Sequence, residues 1–501
     1  MSVNLLNSSE TKACDLNTIK KGTSSSILVS RAGKKVTEEI LKRTKPCKTL
    51  VVCSSKGNGA DGAVVARLLR EHGYDVSIFI LSKNFNQVAK EKFSMFTGDL
   101  LENYPVNKEF SLIIDAMIGT GLINELNDKY KEVVSQINKS SAYTVSIDIA
   151  SGISSDTGLS LGLNVLSDLT VAISEYKVGH FLADGPDSYH ELVLVKIGIE
   201  NTIKNPVKKY NVTDFYGMLK KRKSNVNKGT FKRSTIIAGS LKASGASMLS
   251  YLALSSLLVG TGYSSLATKK SLAKRALFVN PEVMLVPLKE SFSGKLKFSK
   301  KEINEIISKS QSIAIGMGLE ESKNTYKIIK YLLKNYTGRL LIDASGLNVL
   351  STYGIDILLD KKCEVILTPH IKEFSRLLNS SVKEVLESRI SLGSAFAKKY
   401  DVTLLLKSNT TLVFYKDEVA LTNEGNSALA KGGSGDTLSG IVAGLLTKDN
   451  LSVYQAGILG SIILGMASDE ALKNNNVLSL LPNQVVKCVS NVISVIINKS
   501  Y

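Results

Sequence analysis

Short β-rich apolar runs, recurring between stretches of helical periodicity in two successive series, constrain this chain most. In the first series Thr49-Leu50-Val51-Val52, Val76–Ile80, Leu112–Ile114 and Tyr143–Ile147 alternate with segments such as Gly62–His72, where Val64, Val65, Leu68 and Leu69 share one helical face. Leu169–Ala172 and Leu192–Val195 continue the series, and the polar stretch Glu200–Lys209 breaks it. A second series follows with Ser234–Ile237, Ser312–Ile315, Leu340–Ile342, Glu364–Leu367 and Thr403–Leu406. Such alternation builds α/β domains on parallel sheets. A chain of 501 residues exceeds what one hydrophobic core usually serves, so two domains are expected, residues 1–212 and 213–501.

Charge and cysteine usage narrow the class of partner. The excess of 63 Lys and Arg over 45 Asp and Glu gives +18, which favours anionic partners: nucleic acid, a membrane surface or phosphorylated small molecules. The basic residues are mostly scattered lysines, and the one tight cluster, Lys220-Lys221-Arg222-Lys223, falls close to the expected domain boundary. Small anionic metabolites therefore fit better than nucleic acid. The five cysteines are widely spaced and contain no Cys-x-x-Cys pair, which argues against a disulfide framework and fits a reducing cytoplasm. Met1–Asp15 has no basic segment leading into an apolar one, and Lys487, Ser490 and Asn491 interrupt the apolar stretch Val485–Ile497, so no membrane partner is expected.

In open parallel sheets function gathers where strands end in loops. The first series ends its strands in Gly57-Asn58-Gly59-Ala60-Asp61-Gly62, in Asp115-Ala116-Met117-Ile118-Gly119-Thr120-Gly121 and in Asp148-Ile149-Ala150-Ser151-Gly152. Asn58, Asp115 and Ser151 offer hard oxygen ligands suited to a hard cation, which leaves Asp148 as a candidate acid or base. Any one such loop alone reads more readily as a glycine turn with an acidic helix cap. Three of them after three successive strands favour a shared crevice.

The second series ends in Ala238-Gly239-Ser240, Gly316-Met317-Gly318-Leu319, Asp343-Ala344-Ser345, Thr368-Pro369-His370 and Lys407-Ser408-Asn409-Thr410-Thr411. Lys407 directly after an apolar strand can reach a nucleotide phosphate, with Thr410 and Thr411 adding hydroxyl donors. His370 reads either as a structural hydrogen-bonding residue or as a functional one, and Glu373 either as its support or as an ordinary first-turn helix acid. Lys431-Gly432-Gly433-Ser434-Gly435-Asp436 then opens the apolar run Ile441–Leu446. Glycines at a helix start let backbone N–H groups approach an anion. Asp436 among them reads either as a helix cap or as a base beside a transferring phosphoryl group.

Taken together these motifs resemble the bifunctional NAD(P)H-hydrate repair enzymes over nearly the whole chain. The residues that carry the resemblance are Asn58–Gly62 with Ala66-Arg67, Asp115–Leu122, Asp148–Gly152 and Lys177-Val178-Gly179 in the first half. In the second half they are Lys228-Gly229-Thr230-Phe231, Asn280-Pro281-Glu282-Val283-Met284, Gly316–Leu319, Leu347-Asn348, Thr368–Glu373, Lys407 and Gly432–Gly440. The resemblance implies two three-layer α/β/α domains, an N-terminal Rossmann-like epimerase and a C-terminal ribokinase-like dehydratase. The epimerase would interconvert the C6 epimers of hydrated NADH or NADPH. The dehydratase would restore the S epimer with ADP as co-substrate, giving AMP and phosphate, with magnesium allowed as a further ion. A cytoplasmic homo-oligomer is expected.

By resemblance, Asn58, Asp115 and Ser151 would hold potassium. Gly57, Asn58, Gly59, Ala60, Asp61, Gly119, Thr120, Gly121, Leu122, Ile123, Asn124, Glu125 and Asp148 would contact the epimerase substrate, with Asp148 as acid/base. Ala246, Gly318, His370 and Asp436 would contact the dehydratase substrate, with Asp436 deprotonating the C6 hydroxyl. Lys407, Ser408, Asn409, Thr410, Thr411 and Gly435 would hold the nucleotide. The chain departs from the family pattern at Gly57, Ala150, Asn227, Ser345 and Ser408. The rival readings are a ribokinase-like kinase of a small alcohol and a first domain that only binds.

Overall fold

The structure, a computed structural model, describes residues 2–498 apart from 83, 107, 241–244, 246–247, 249–257, 280–283 and 293, with side chains omitted over 275–279. Ala246 and the run 280–283 of the expected motifs therefore lie outside the described residues. The chain forms two compact α/β units, Asn4–Val207 and the segment from Lys208 onward. The division falls at Val207–Lys208 rather than after residue 212, because Lys208 and Lys209 already pair with Ala420 and Leu421.

The strands of the first unit are β1 (Val3–Leu6), β2 (Lys48–Cys53), β3 (Asp75–Ile80), β4 (Asp99–Leu101), β5 (Leu112–Ala116), β6 (Tyr143–Ile147), β7 (Ser167–Ile173), β8 (Tyr176–Lys177) and β9 (Tyr189–Val195). Its helices are α1 (Ser8–Lys20), α2 (Ser25–Leu41), α3 (Gly57–Glu71), α4 (Gln87–Ser94) and α5 (Asp128–Lys139). Seven strands form a sheet in the order β4-β3-β2-β5-β6-β7-β9, parallel throughout. Parallel strands are covered on both faces, which is why Leu50, Val51 and Val52 are all fully buried despite pointing alternately to opposite sides. Each such side chain contributes about 1.5–3 kcal/mol of burial. One apolar cluster gathers Val36, Ile40 and Leu69 from α2 and α3, and another gathers Val133, Val134 and Ile137 from α5.

Helix α3 starts on glycines because the chain has no room for side chains there. A Cβ on Gly59 would lie 1.9 Å from the Ser54 carbonyl oxygen, and one on Gly62 would lie 2.5 Å from Ala116 Cβ. The close approach seats the N-terminus of α3 on the ends of β2 and β5, which is where the first site forms.

In the second unit the strands are β10 (Val207–Lys209), β11 (Arg233–Ile237), β12 (Tyr263–Lys269), β13 (Met284–Leu288), β14 (Ser312–Ile315), β15 (Arg339–Ile342), β16 (Glu364–Leu367), β17 (Thr403–Leu406), β18 (Thr411–Tyr415) and β19 (Glu418–Thr422). They run β13-β12-β11-β14-β15-β16-β17-β18-β19-β10. Pairing is parallel from β13 to β17, then β18 and β19 turn antiparallel. The helices Ser434–Leu445 and Val453–Leu472 are buried along most of their length and share one apolar cluster with Ile236, Ala314, Leu341 and Ile366 of the sheet. An apolar helix of that kind belongs inside a core. No helix among the described residues is long and apolar enough to cross a membrane.

Candidate active sites

A cavity of about 590 Å³ opens at the C-terminal ends of β2, β5 and β6, lined by Ser54, Gly57, Asn58, Asp61, Gly119, Thr120, Gly121, Asp148 and Lys177. Asp148 follows β6 in the left-handed region, at φ 70°. For a residue with a Cβ this costs on the order of 1 kcal/mol and persists only where the surroundings hold it. They do so at both backbone and side chain. The Asp148 N–H donates to Val171 O at 2.8 Å, and Oδ1 accepts from Ile173 N at 3.0 Å and from the Lys177 ammonium. Lys177 is 1 % exposed and donates also to Ile173 O at 2.9 Å. His180 accepts from Lys177 N at Nδ1, 3.0 Å, so its proton sits on Nε2, which donates to the Asp148 carbonyl at 2.8 Å. Burial, helped by the Lys177 charge, pushes the His180 pKa down to about 4.

Two further carboxyls face this ion pair. Asp61 is raised well above the usual carboxylate range, first by burial and then by Asp148 and Asp15. Asp15, on α1, lines the same cavity and is raised by burial, with Lys177 pulling it back. Sequence reasoning missed Asp15 and His180, and it took Lys177 only as part of a matching tripeptide. The strand pairing Leu6↔Lys177 and the bonds from Ser8 to Asp156, 2.6 and 2.7 Å, bring the N-terminal segment to the site.

The expected cation ligands divide. Asn58 lines the cavity, its Nδ2 donating to Ile147 O at 3.1 Å. A Cβ on Gly119 would meet Asn58 Oδ1 at 3.5 Å and Asp148 Oδ2 at 3.6 Å, so both oxygens face one spot. Asp115 is fully buried behind it and accepts from Ser151 N (2.8 Å), Ser151 Oγ (2.6 Å), Ser146 Oγ (2.9 Å) and Met117 N (3.2 Å). Burial raises its pKa against the pull of those donors. Of the expected substrate loop, Gly119, Thr120 and Gly121 line the cavity, whereas Leu122–Glu125 lie outside its lining. Ile123 is 85 % exposed and Glu125 pairs with Lys131 at 2.6 Å. Gly59 and Ala60 are buried in the turn beneath.

The second site assembles at the ends of β15, β16 and β17 and at the start of the helix Ser434–Leu445. That helix is capped by Gly433 at φ 102°, so Asp436 sits inside the first turn and is not the cap. Burial first, and then the Asp343 charge, push the Asp436 pKa up to about 6. Lys407 Nζ donates to Asp343 Oδ1 at 2.8 Å and would lie 3.3 Å from a Cβ on Gly435. His370 pairs with Lys407 as a parallel bridge and caps the helix Ile371–Leu378. Its Nδ1 accepts from Glu373 N at 3.2 Å while its own N–H donates to Glu373 Oε2 at 2.9 Å. Both open readings of His370 thus have a basis, and Glu373 is its capping partner. Thr410 is buried, Thr411 begins β18, and Ser408 and Asn409 are exposed or nearly so and bonded to each other at 3.1 Å. Gly318 follows β14 at φ 64°.

Comparison with known proteins adds the family. A model described as YjeF-related protein N-terminus matches residues 25–179, and one described as NAD(P)H-hydrate dehydratase matches residues 234–491. A protein of Thermofilum pendens named bifunctional NAD(P)H-hydrate repair enzyme is 32 % identical over 480 residues, 92 % of this chain and 91 % of that one. The chain belongs to the bifunctional NAD(P)H-hydrate repair enzymes. A namesake from Dictyoglomus turgidum is 30 % identical over 472 residues, 90 % of each chain. A solved hypothetical protein from Streptococcus mutans shares the fold of the second unit, with a TM-score of 0.50 and 24 % identity over 57 % of this chain and 99 % of its own.

The positions expected to differ from the family pattern lie in different settings. Gly57 opens α3 with nothing within 4 Å of a Cβ position. Ala150 is buried in the turn after Asp148. Asn227 caps the turn Lys228–Phe231 with its side chain, and Ser345 begins the helix Ser345–Tyr353, whose cap is Ala344.

Proposed function

We propose that the unit Asn4–Val207 epimerises hydrated NAD(P)H at C6, and that the unit from Lys208 onward removes the hydroxyl of the S epimer at the expense of ADP. The observation that carries this reading is the raised carboxyl of Asp436 inside a glycine-opened helix turn beside Lys407. Hydroxide leaves poorly, so the hydroxyl oxygen is first phosphorylated. It attacks the β-phosphorus of ADP, the bond to the α-phosphate oxygen breaks to release AMP, and Asp436 takes the hydroxyl proton. The ring nitrogen lone pair then expels phosphate from C6, and loss of the C5 proton restores the double bond. Amides at Gly433–Gly435 stabilise the moving phosphoryl charge, Lys407–Thr411 hold the nucleotide, and His370 and Gly318 border the hydrated ring.

Epimerisation at C6 requires the oxygen to leave, or the ring to open, and to return on the other face. Asp148 moves the proton, held in place by Lys177 and by its strained backbone. Asp61 lines the same cavity, its carboxyl pushed well above the usual range by burial and by the charge of Asp148. Asn58, Asp115 and Ser151 offer amide, carboxylate and hydroxyl oxygens, and the donors bonded to the buried Asp115 are all neutral. That set suits potassium, which would supply positive charge there and tie the three loops together.

The test is complete conversion of mixed hydrate epimers to NADH, followed by absorbance, with ADP and potassium present. Asp148→Asn should stop at the S fraction and Asp436→Asn should abolish NADH formation. Exchange of potassium for a larger organic cation should slow only epimerisation. Release of a stable phosphate ester in place of NADH and phosphate would establish the kinase reading instead.

A further inference from the structure

We propose that Asp343 is a positioning residue for dehydration: it holds the Lys407 ammonium against the Gly435 backbone, so that Asp436 serves as base and not as the counter-ion of that lysine. The inference rests on the reading of Asp436 as base. Asp343 follows β15 and is 1 % exposed. Its two oxygens have separate duties, Oδ1 accepting from Lys407 Nζ at 2.8 Å and Oδ2 from Ser439 Oγ at 2.6 Å. Ser439 lies three residues after Asp436 on one helix, so Asp343 ties the lysine to the very helix that carries the base.

The backbone around Asp343 is over-determined. Its N–H donates to Ile315 O at 3.1 Å and its carbonyl accepts from Gly346 N at 2.9 Å. Gly316, at φ 127°, presses so closely that a Cβ there would sit 1.9 Å from the Asp343 carbonyl oxygen. Ala344 next to it is held at φ 49°. Such packing fixes a side chain to a fraction of an ångström, which a positioning role requires.

The electrostatics give the arrangement its purpose. Two carboxylates and one ammonium meet here, and the ammonium is committed to Asp343. Among the described residues, Asp343 raises the proton affinity of Asp436 and Lys407 lowers it. From the neighbouring strand end His370 and Glu373 face the same pair, His370 pushed down and Glu373 pushed up by burial. The Asp343–Lys407 pair, bonded at 2.8 Å, supplies the charges that act on Asp436. Without the Asp343 charge, Lys407 would turn its full attraction on Asp436 and weaken it as a base.

The experiment measures the pH profile of dehydratase kcat/KM in the full chain, using the S hydrate and ADP, with epimerase activity as a check that the chain is folded. The wild-type profile should rise through about 6 as Asp436 loses its proton. Asp343→Asn should move that limb down by about one pH unit or more, and lower the plateau several-fold because the base is weaker. Lys407→Met, which leaves both carboxylates without the ammonium, should move the limb up. Ser439→Ala should leave it in place, since no charge changes. Unmoved limbs in Asp343→Asn and Lys407→Met, with activity merely reduced, would overturn the proposal. Should Asp343→Asn fail to fold, the absence of an upward move in Lys407→Met overturns it alone. Retention of activity in Asp436→Asn would instead overturn the reading of Asp436 as base.

Discussion

Lys177→Met removes the only cation bonded to Asp148 among the described residues and nearly preserves the stem that packs around it. Lys177 is 1 % exposed and Asp148 13 % exposed at their side chains, so water does little to screen the loss. Leaving one partner of a buried ion pair uncompensated costs about 3–5 kcal/mol. For a unit of this size each kcal/mol moves the melting temperature by about 2–4 °C, so the loss amounts to roughly 6–20 °C. Calorimetry of the full chain at neutral pH should show the transition of the first unit falling by that amount, with the second transition unmoved. Epimerase activity should disappear and dehydratase activity remain. An unchanged first transition would refute the buried-pair argument.

Two further outcomes follow from the same unit. His180, depressed to about 4 in the folded chain, binds its proton more readily when unfolded, so its contribution is complete above about pH 6.5 and is lost as pH falls towards 4. Urea midpoints between pH 7 and pH 4.5 should fall by an amount equivalent to as much as about 3 kcal/mol, and His180→Gln should flatten that slope. Gly59→Ala forces a Cβ to within 1.9 Å of the Ser54 carbonyl oxygen, which is backbone and cannot swing aside. Epimerase activity should be lost and the first transition lowered, with the dehydratase intact; an active Gly59→Ala chain would mean that the α3 turn is looser than its packing implies.

The strands that form the sheet centres were readable because burial on both faces writes an unbroken apolar run into the chain: Leu112–Ile114 lies within β5 and Leu340–Ile342 within β15. Two other strands were not: β12, between β11 and β13, carries Ser264, Ser265 and Thr268 in buried positions, and β8 is two residues long, so neither shows a run. The hairpin β18–β19 was hidden because its first residue, Thr411, was read with Thr410 as part of a nucleotide loop. Asp148 and Asp436 were singled out from their place after a strand and after glycines. Their partners were not, because Asp148 and Lys177 are 29 residues apart and Asp343 and Lys407 are 64 apart. Only the strand order brings such residues together, and no local pattern records it.

Each reaction draws its chemistry from one unit. Asp61, Asp148 and Lys177 lie within Asn4–Val207, and Asp343, Lys407 and Asp436 lie in the unit from Lys208 onward. The intermediate that links the two reactions is a stable hydrated cofactor, free to leave one site and enter another by diffusion. A chain carrying Asp148→Asn and a chain carrying Asp436→Asn should therefore complement each other when mixed. Mixed epimers given only the first should stop when the S fraction is consumed, and given only the second should yield no NADH while continuing to interconvert. Together they should proceed to completion, at a rate lowered in proportion to the dilution of each working site. Were the mixture to stall where Asp148→Asn alone stalls, the epimer would have to pass between sites of a single chain, and independent units would be the wrong description of how this enzyme repairs its substrate.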